Sequence, residues 1–446
     1  MGAGVLKETD QDVINIIKKI ALNIQDYEGL LEIVNAQKNI YTVSGLSFHP
    51  WNAVSLSHGL PGICMLYAEL HEHFPDEGWD QLGHQFLGTL VQEISEQGLQ
   101  SSSMFSGAAG VGLAAVCLSQ NFKLYRKFTD RIHDYLLQQV PVMISECTKR
   151  DVTMSDYDAI EGLSGIANYL LIFSEDKKMR PLLLEVIQYL VNLTHDQEYD
   201  GVQIPGWYIS AKNQFTPMEQ QLYPNGNFNL GLSHGICGPI IILSKALLQG
   251  VNVPGQALAI KKMVDFLLQF ANRDGDELSW KGFISFEEFK RGHASEQDNV
   301  RRDAWCYGSP GACMSLLYAG KALQERLYSD LAIQALQQTV QHAQHLVSPT
   351  FCHGYAGIVQ ILMAARELRG QAVFTDEITF LKGKILSFYD DTYRFGFHNL
   401  EYSEDDGGRV KQLDYVGLLG GVTGVLLPLI NIELGQKTRW DQAFML

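Results

Sequence analysis

The sequence predicts an all-α protein, an α/α toroid in which seven inner and seven outer helices form a double barrel, with a small β-rich extension inserted at the rim. Three observations predict it. A Gly-x-x-Gly tetrad recurs seven times along the 446 residues. An apolar stretch of helical length follows each tetrad. A more amphipathic helix candidate precedes each one. Recurrence at intervals of tens of residues marks a repeat architecture, in which one supersecondary unit is stacked on the next.

The tetrads begin at Gly59, Gly107, Gly162, Gly235, Gly308, Gly354 and Gly421, separated by 48, 55, 73, 73, 46 and 67 residues. The segments that follow are residues 63–71, 111–118, 166–173, 239–248, 312–323, 358–368 and 425–434. They carry few polar breaks, as helices buried on all sides do. The segments that precede are residues 10–26, 79–96, 124–140, 179–194, 256–272, 329–346 and 376–389. Each mixes an apolar stripe with charges, the pattern of an outer layer. A glycine pair at the start of each inner helix lets backbones come close where the ring is tightest. The whole chain, 1–446, then reads as a single catalytic toroid domain.

The two longest intervals hold extra material. Residues 196–230 are rich in Gly, Pro, Asn, Tyr and Gln, with strand-like pieces such as Gly206-Trp207-Tyr208-Ile209. Residues 277–300 contain Ser279-Trp280-Lys281-Gly282-Phe283-Ile284. Insertions in repeat proteins map to loops on one face, often the binding face.

Composition narrows the function. Hydrophobic residues make up 46% of the chain, enough for a large core. The formal charge of −16 excludes a nucleic-acid binder of the usual kind, which needs a basic face, and suits a cationic peptide. The longest apolar runs, such as 422–430, are too short to span a bilayer, and the N-terminus has no basic start or apolar run of a signal peptide. A cytoplasmic location is expected. Seven widely spaced cysteines point to free or metal-bound thiols rather than a disulfide framework.

Chemistry-bearing side chains cluster where the repeats begin. Cys306 lies two residues before Gly308, in Arg302-Asp303-Ala304-Trp305-Cys306-Tyr307. Cys352 and His353 lead directly into Gly354, His234 into Gly235, and Asp158 precedes Gly162 by four residues. Equivalent positions of different repeats converge at one end of a closed ring. Two thiolates and an imidazole with a fourth position open describe a catalytic zinc site. Taken singly, each cysteine reads as a small buried hydrophobe, His234 as a helix-start histidine and Arg302 as a surface ion-pair partner. His58 precedes a tetrad without a partner set and reads as structural. Cys64, Cys117, Cys237 and Cys313 read as core and Cys147 as incidental. The acidic stretch from Glu401 to Asp406 reads as a solvated loop.

Taken together, the seven tetrads and the pieces Ser233-His234-Gly235-Ile236-Cys237-Gly238, Trp305-Cys306-Tyr307-Gly308 and Cys352-His353-Gly354 resemble the lanthionine synthetase C-like family, and within it the cyclases of class I lantibiotic biosynthesis. The resemblance runs from about Asn52 to Leu434. It implies an α/α toroid with one Zn2+ held by Cys306, Cys352 and His353, and activity residues at His234, Asp158 and Arg302, with Trp305 nearby. It implies addition of a precursor-peptide cysteine thiol to dehydroalanine or dehydrobutyrine, giving lanthionine or methyllanthionine thioether rings. Its partners would be a dehydrated lantibiotic precursor with leader and core, and a dehydratase and an export transporter in a biosynthetic complex through which the chain would be peripheral to the membrane. The insertion 196–230 is the expected docking element for the leader.

The residues suit that chemistry. A free thiol has a pKa of about 8.5, so little thiolate exists at neutral pH. Coordination to zinc removes the proton outright. Histidine titrates near neutral pH and so suits proton transfer to the α-carbon, with a carboxylate to orient it. Arg302 would stabilise the enolate oxygen or anchor Asp158. Other readings place glutathione addition to dehydroamino acids, or a non-catalytic zinc-containing peptide scaffold, on the same chain. A glycosidase or terpenoid cyclase on a toroid would need catalytic carboxylates where this chain has Cys and His.

Overall fold

The computed structural model describes residues 10–43, 45–49, 51–295, 303–343, 346–404 and 407–446. They fall into two compact units, one from stretches 1–99, 110–129 and 345–440, the other from 100–109, 130–344 and 441–446.

In the first unit the helices Leu60–His73, Tyr355–Arg369 and Thr423–Leu434 pack side by side as an inner layer. Outside them lie Trp79–Gln97 on Leu60–His73, Thr375–Leu386 on Tyr355–Arg369, and Gln11–Ile24 on Thr423–Leu434. The second unit repeats the scheme. Leu163–Leu170, Cys237–Leu248 and Ser309–Leu323 form the inner layer, and Arg180–Asn192, Gln256–Gln269 and Arg326–His342 the outer. Ala108–Leu118 and Arg126–Cys147 are the remaining long pair. Inner and outer layers differ as their sequences do. In Cys237–Leu248 every residue from Cys237 to Ala246 is buried. In Gln256–Gln269 burial recurs at helical spacing, through Ala259, Ile260, Met263, Val264 and Leu267.

The sequence suggests pairing each outer helix with the inner helix that follows it, but the closer packing is with the one before. Trp79–Gln97, Arg180–Asn192, Gln256–Gln269, Arg326–His342 and Thr375–Leu386 each lie against the preceding inner helix, and Arg180–Asn192 and Gln256–Gln269 also touch the following one. Connection length decides this. Only Gln324 and Glu325 separate Ser309–Leu323 from Arg326–His342, and so short a link forces antiparallel neighbours. The longer connections run from outer helix to the next inner helix, and these carry the tetrads. The last inner helix, Thr423–Leu434, has no successor and takes Gln11–Ile24 instead.

The glycines have a sharper role than close helix packing. The first of each tetrad lies at or just before the helix start, where the loop folds back on itself. A Cβ on Gly235 would sit 2.4 Å from the Gly231 nitrogen and 2.5 Å from the Asn229 oxygen, both backbone. The second glycine faces the loop of a neighbouring repeat at Gly62 and Gly311; at Gly311 a Cβ would come 2.7 Å from the Leu232 Cβ. Gly88, on Trp79–Gln97, has open space around it. The same change should therefore have opposite signs at two sites. Gly235→Ala is expected to cost about 1–3 kcal/mol by overpacking, and Gly88→Ala to gain about 0.5–1 kcal/mol through helix propensity. Urea unfolding of the two variants checks this.

Strands are few and occur as five two-stranded antiparallel pairs among the described residues. The two sequence insertions meet in one of them. Asn227–Asn229 pairs with Phe283–Ser285, Phe228 opposite Ile284. The remainder of residues 196–230 comprises the hairpin Asp196–Tyr199 with Val202–Pro205 and the short helix Pro217–Leu222. Residues 296–300, the end of the second insertion, lie outside the described residues. Among the described residues no helix is long and apolar enough to cross a membrane.

Candidate functional site

The loop that carries Cys306 is fixed on both sides. Trp305 is fully buried, and its Nε1 donates to the Phe444 carbonyl at 3.0 Å. Asp303 Oδ1 accepts from the Ser309 amide at 3.1 Å and so caps the inner helix start. Between them the Cys306 carbonyl accepts from the Leu232 amide at 2.9 Å and the Ser233 amide at 3.2 Å. The cysteine loop and the histidine loop are thereby tied backbone to backbone.

That tie places His234. Its Nδ1 lies 2.6 Å from Asp158 Oδ2. Asp158 is fully buried, and its other oxygen accepts from the amides of Glu161 and Gly162, both at 2.7 Å. The Ala159 amide donates to the Ser233 carbonyl at 3.0 Å, which holds the carboxylate loop to the histidine loop. A carboxylate only accepts, so Nδ1 carries a proton toward Asp158. Burial favours the neutral ring. The charge and hydrogen bond of Asp158, helped by Cys306 and Glu161, outweigh it and hold the His234 pKa above the ordinary value. The side chain is 31% exposed, so an incoming molecule can reach it. Glu161 lies close by and accepts from Ser106 Oγ at 2.5 Å; burial pushes its carboxyl up, and the charge of Asp158 adds to that.

Cys352 and His353 end the loop before Tyr355–Arg369. The Cys352 amide donates to the Leu419 carbonyl at 3.0 Å, and the Tyr355 amide to the Ser348 carbonyl at 3.1 Å. His353 Nε2 hydrogen-bonds Glu401, on the strand Asn399–Ser403.

Cys306, Cys352 and His353 each offer one ligand atom, and these atoms all lie within 4.8 Å of one another. The donor chemistry fits zinc: two thiols and one imidazole, a set that leaves a fourth tetrahedral position for a substrate. The burial of the cysteines separates the same two from the rest. Cys306 and Cys352 are half-buried, whereas the other five are buried. Burial pushes the Cys237 thiol up to about 12, the behaviour of an inert core thiol. Burial likewise takes His58 down to about 4, which keeps it neutral. Arg302, the third expected activity residue, lies outside the described residues.

Two residues near these groups escaped the sequence reading. Glu401 was expected in a solvated acidic loop, yet its side chain is only 15% exposed. The signal was the alternation in Asn-Leu-Glu-Tyr-Ser: Asn399 and Ser403 are buried on its face while Tyr402 is exposed. Phe215, from the insertion, stacks beside His234 with ring centroids 6.3 Å apart and planes inclined by 23°, and remains 60% exposed.

Residues 50–445 match the sequence model of the family described as "Lanthionine synthetase C-like protein". The chain is 29% identical over 431 residues to the "Nisin biosynthesis protein NisC" of Lactococcus lactis subsp. lactis, covering 96% of this chain and 97% of that one. It is 21% identical over 308 residues to the "Glutathione S-transferase LANCL1" of Danio rerio, covering 67% and 66%. The solved structure of "Nisin cyclase" superposes with a TM-score of 0.79 at 27% identity, covering 98% of both chains, and the α/α toroid is the fold they share.

Proposed function

The chain belongs to the lanthionine synthetase C-like family, and on that footing we propose that it is a lantibiotic cyclase, closing thioether rings by adding precursor-peptide cysteines to dehydroalanine and dehydrobutyrine. The likeness to the nisin biosynthesis protein over nearly the whole chain supports the substrate class. The observation that carries the chemistry is the cluster of Cys306, Cys352 and His353. A bound Zn2+ would take the substrate sulfur at its open position as a thiolate.

The chain's own residues do the rest. His234 carries the proton: the substrate S–H bond breaks, an S–Cβ and a Cα–H bond form, and the Cα=Cβ double bond is consumed. Asp158 holds the imidazole in one orientation and stabilises its protonated form, as a buried carboxylate does for a catalytic histidine. Arg302 is assigned to the enolate oxygen, whose negative charge it would stabilise until the α-carbon is protonated, or to anchoring Asp158.

The insertion 196–230 is assigned to peptide docking. Phe215, Met218 and Leu222 are 60%, 51% and 64% exposed. They follow one another at near-helical spacing, with Phe215 beside His234. Covering one such side chain contributes about 1.5–3 kcal/mol. Phe215→Ala is therefore expected to raise KM about tenfold for the leader-bearing peptide and to leave zinc content and melting temperature unchanged. Steady-state kinetics with the intact precursor give the answer; an unaltered KM would remove the insertion from the binding surface.

The setting assigned to the enzyme is cytoplasmic, with a dehydratase supplying the substrate and an export transporter taking the product. The likeness to LANCL1 favours a second reading, in which the added thiol is glutathione. Incubation of a dehydrated precursor with the zinc-loaded protein, with and without glutathione, separates the two by mass. Ring closure adds nothing, and each glutathione adduct adds one tripeptide.

A further inference from the structure

We infer that Glu401 decides which ring nitrogen of His353 meets the metal; this rests on the metal reading above. The carboxylate accepts from Nε2, so Nε2 keeps its proton and Nδ1 is the nitrogen left for coordination. Glu401 is itself held in place. Asn399 Nδ2 donates to Glu401 Oε1 at 3.1 Å. Asn399 Oδ1 in turn accepts from Ser348 Oγ at 3.2 Å and Thr350 Oγ1 at 3.4 Å. Ser348 and Thr350 belong to the loop that ends in Cys352 and His353, and Ser348 Oγ also accepts from the Leu400 amide at 3.3 Å. The strand and the ligand loop are thus joined through a closed set of hydrogen bonds, with Glu401 at the end nearest the ligand. A histidine ligand whose second nitrogen donates to a carboxylate is fixed in tautomer and ring orientation and is the more basic for it. Glu401 acts through His353 and is a positioning residue.

The test is zinc affinity, measured on the full-length protein by competition with a chromogenic chelator, for wild type, Glu401→Ala and Glu401→Gln. Loss of such a partner typically weakens metal binding about 10–100-fold, the result expected for Glu401→Ala. Glutamine keeps an acceptor oxygen and should recover most of that loss, so the pair of variants remains informative if the alanine chain folds poorly. A residue that merely braced the fold would lower the melting temperature of the metal-free protein and leave zinc affinity where it was. Wild-type affinity in Glu401→Ala would overturn the assignment of Glu401 alone. A wild type that binds no zinc would overturn the metal reading and this inference with it.

Discussion

The Cys306→Ala chain is expected to lose its zinc on dialysis under conditions where wild type keeps about one ion per chain, as a three-ligand catalytic site would. Removing a ligand is more severe than removing a ligand's hydrogen-bond partner, which already costs about 10–100-fold in affinity. With Cys352 and His353 alone, the site has one thiolate and one imidazole, too few for a tetrahedral ion to survive competition with buffer. Ring closure should then fall to the uncatalysed rate. Cys237→Ala is the matched control. That thiol is buried and donates to the Leu230 carbonyl at 3.0 Å. Its loss should lower the unfolding free energy by about 1–3 kcal/mol, the cost of an unpaired buried acceptor, with zinc content unchanged. Metal analysis together with urea unfolding of the two variants checks both halves: Cys306→Ala should lose the ion, whereas Cys237→Ala should keep it and unfold more easily.

The second large effect is at His234. His234→Ala is expected to lower the rate of ring closure about 10²–10⁴-fold, the usual contribution of a positioned acid–base group, and to spare zinc. Asp158→Asn tests the same proton from the other side. Asp158 supplies the charge that outweighs burial and keeps the imidazole pKa above its ordinary value. Without it, the protonated ring disappears at lower pH. If His234 donates the proton to the α-carbon, activity falls as pH rises through its pKa, and in Asp158→Asn that fall should begin at lower pH. The linkage to stability has the same direction: a pKa raised by folding stabilises the native state below the unfolded value, and that contribution is lost as pH rises through the folded value. A pH–rate profile for the two proteins settles it, and an unmoved limb would dissociate His234 from the step.

Much of this was legible before any coordinate. The seven tetrads placed the helix starts, because a first glycine packed against backbone atoms of its own loop cannot be replaced cheaply and so recurs in register. Their flanks placed Cys306, Cys352, His353, His234 and Asp158 in the loops that lead into inner helices. What was missed has physical causes. The pairing of outer with inner helices depends on connection length, and composition does not reveal which of two flanking loops is the tight one. Glu401 sits in a run of acids, and charge alone reads as solvent exposure; only the strand alternation showed that its side chain shares a face with buried Asn399 and Ser403. Phe215 belongs to an insertion without periodicity, so nothing local tied it to His234.

The central claim is tested most directly by counting free thiols in a dehydrated lantibiotic precursor, leader attached, before and after incubation with the zinc-loaded protein. Ring closure leaves the peptide mass unchanged and consumes one alkylatable thiol per ring. The predicted result is a fall in N-ethylmaleimide adducts with wild type and none with His234→Ala or Cys306→Ala. Thiols that stay fully alkylatable with wild type, while glutathione becomes attached to the same peptide, would contradict the cyclase reading and identify the chain as a glutathione-adding relative.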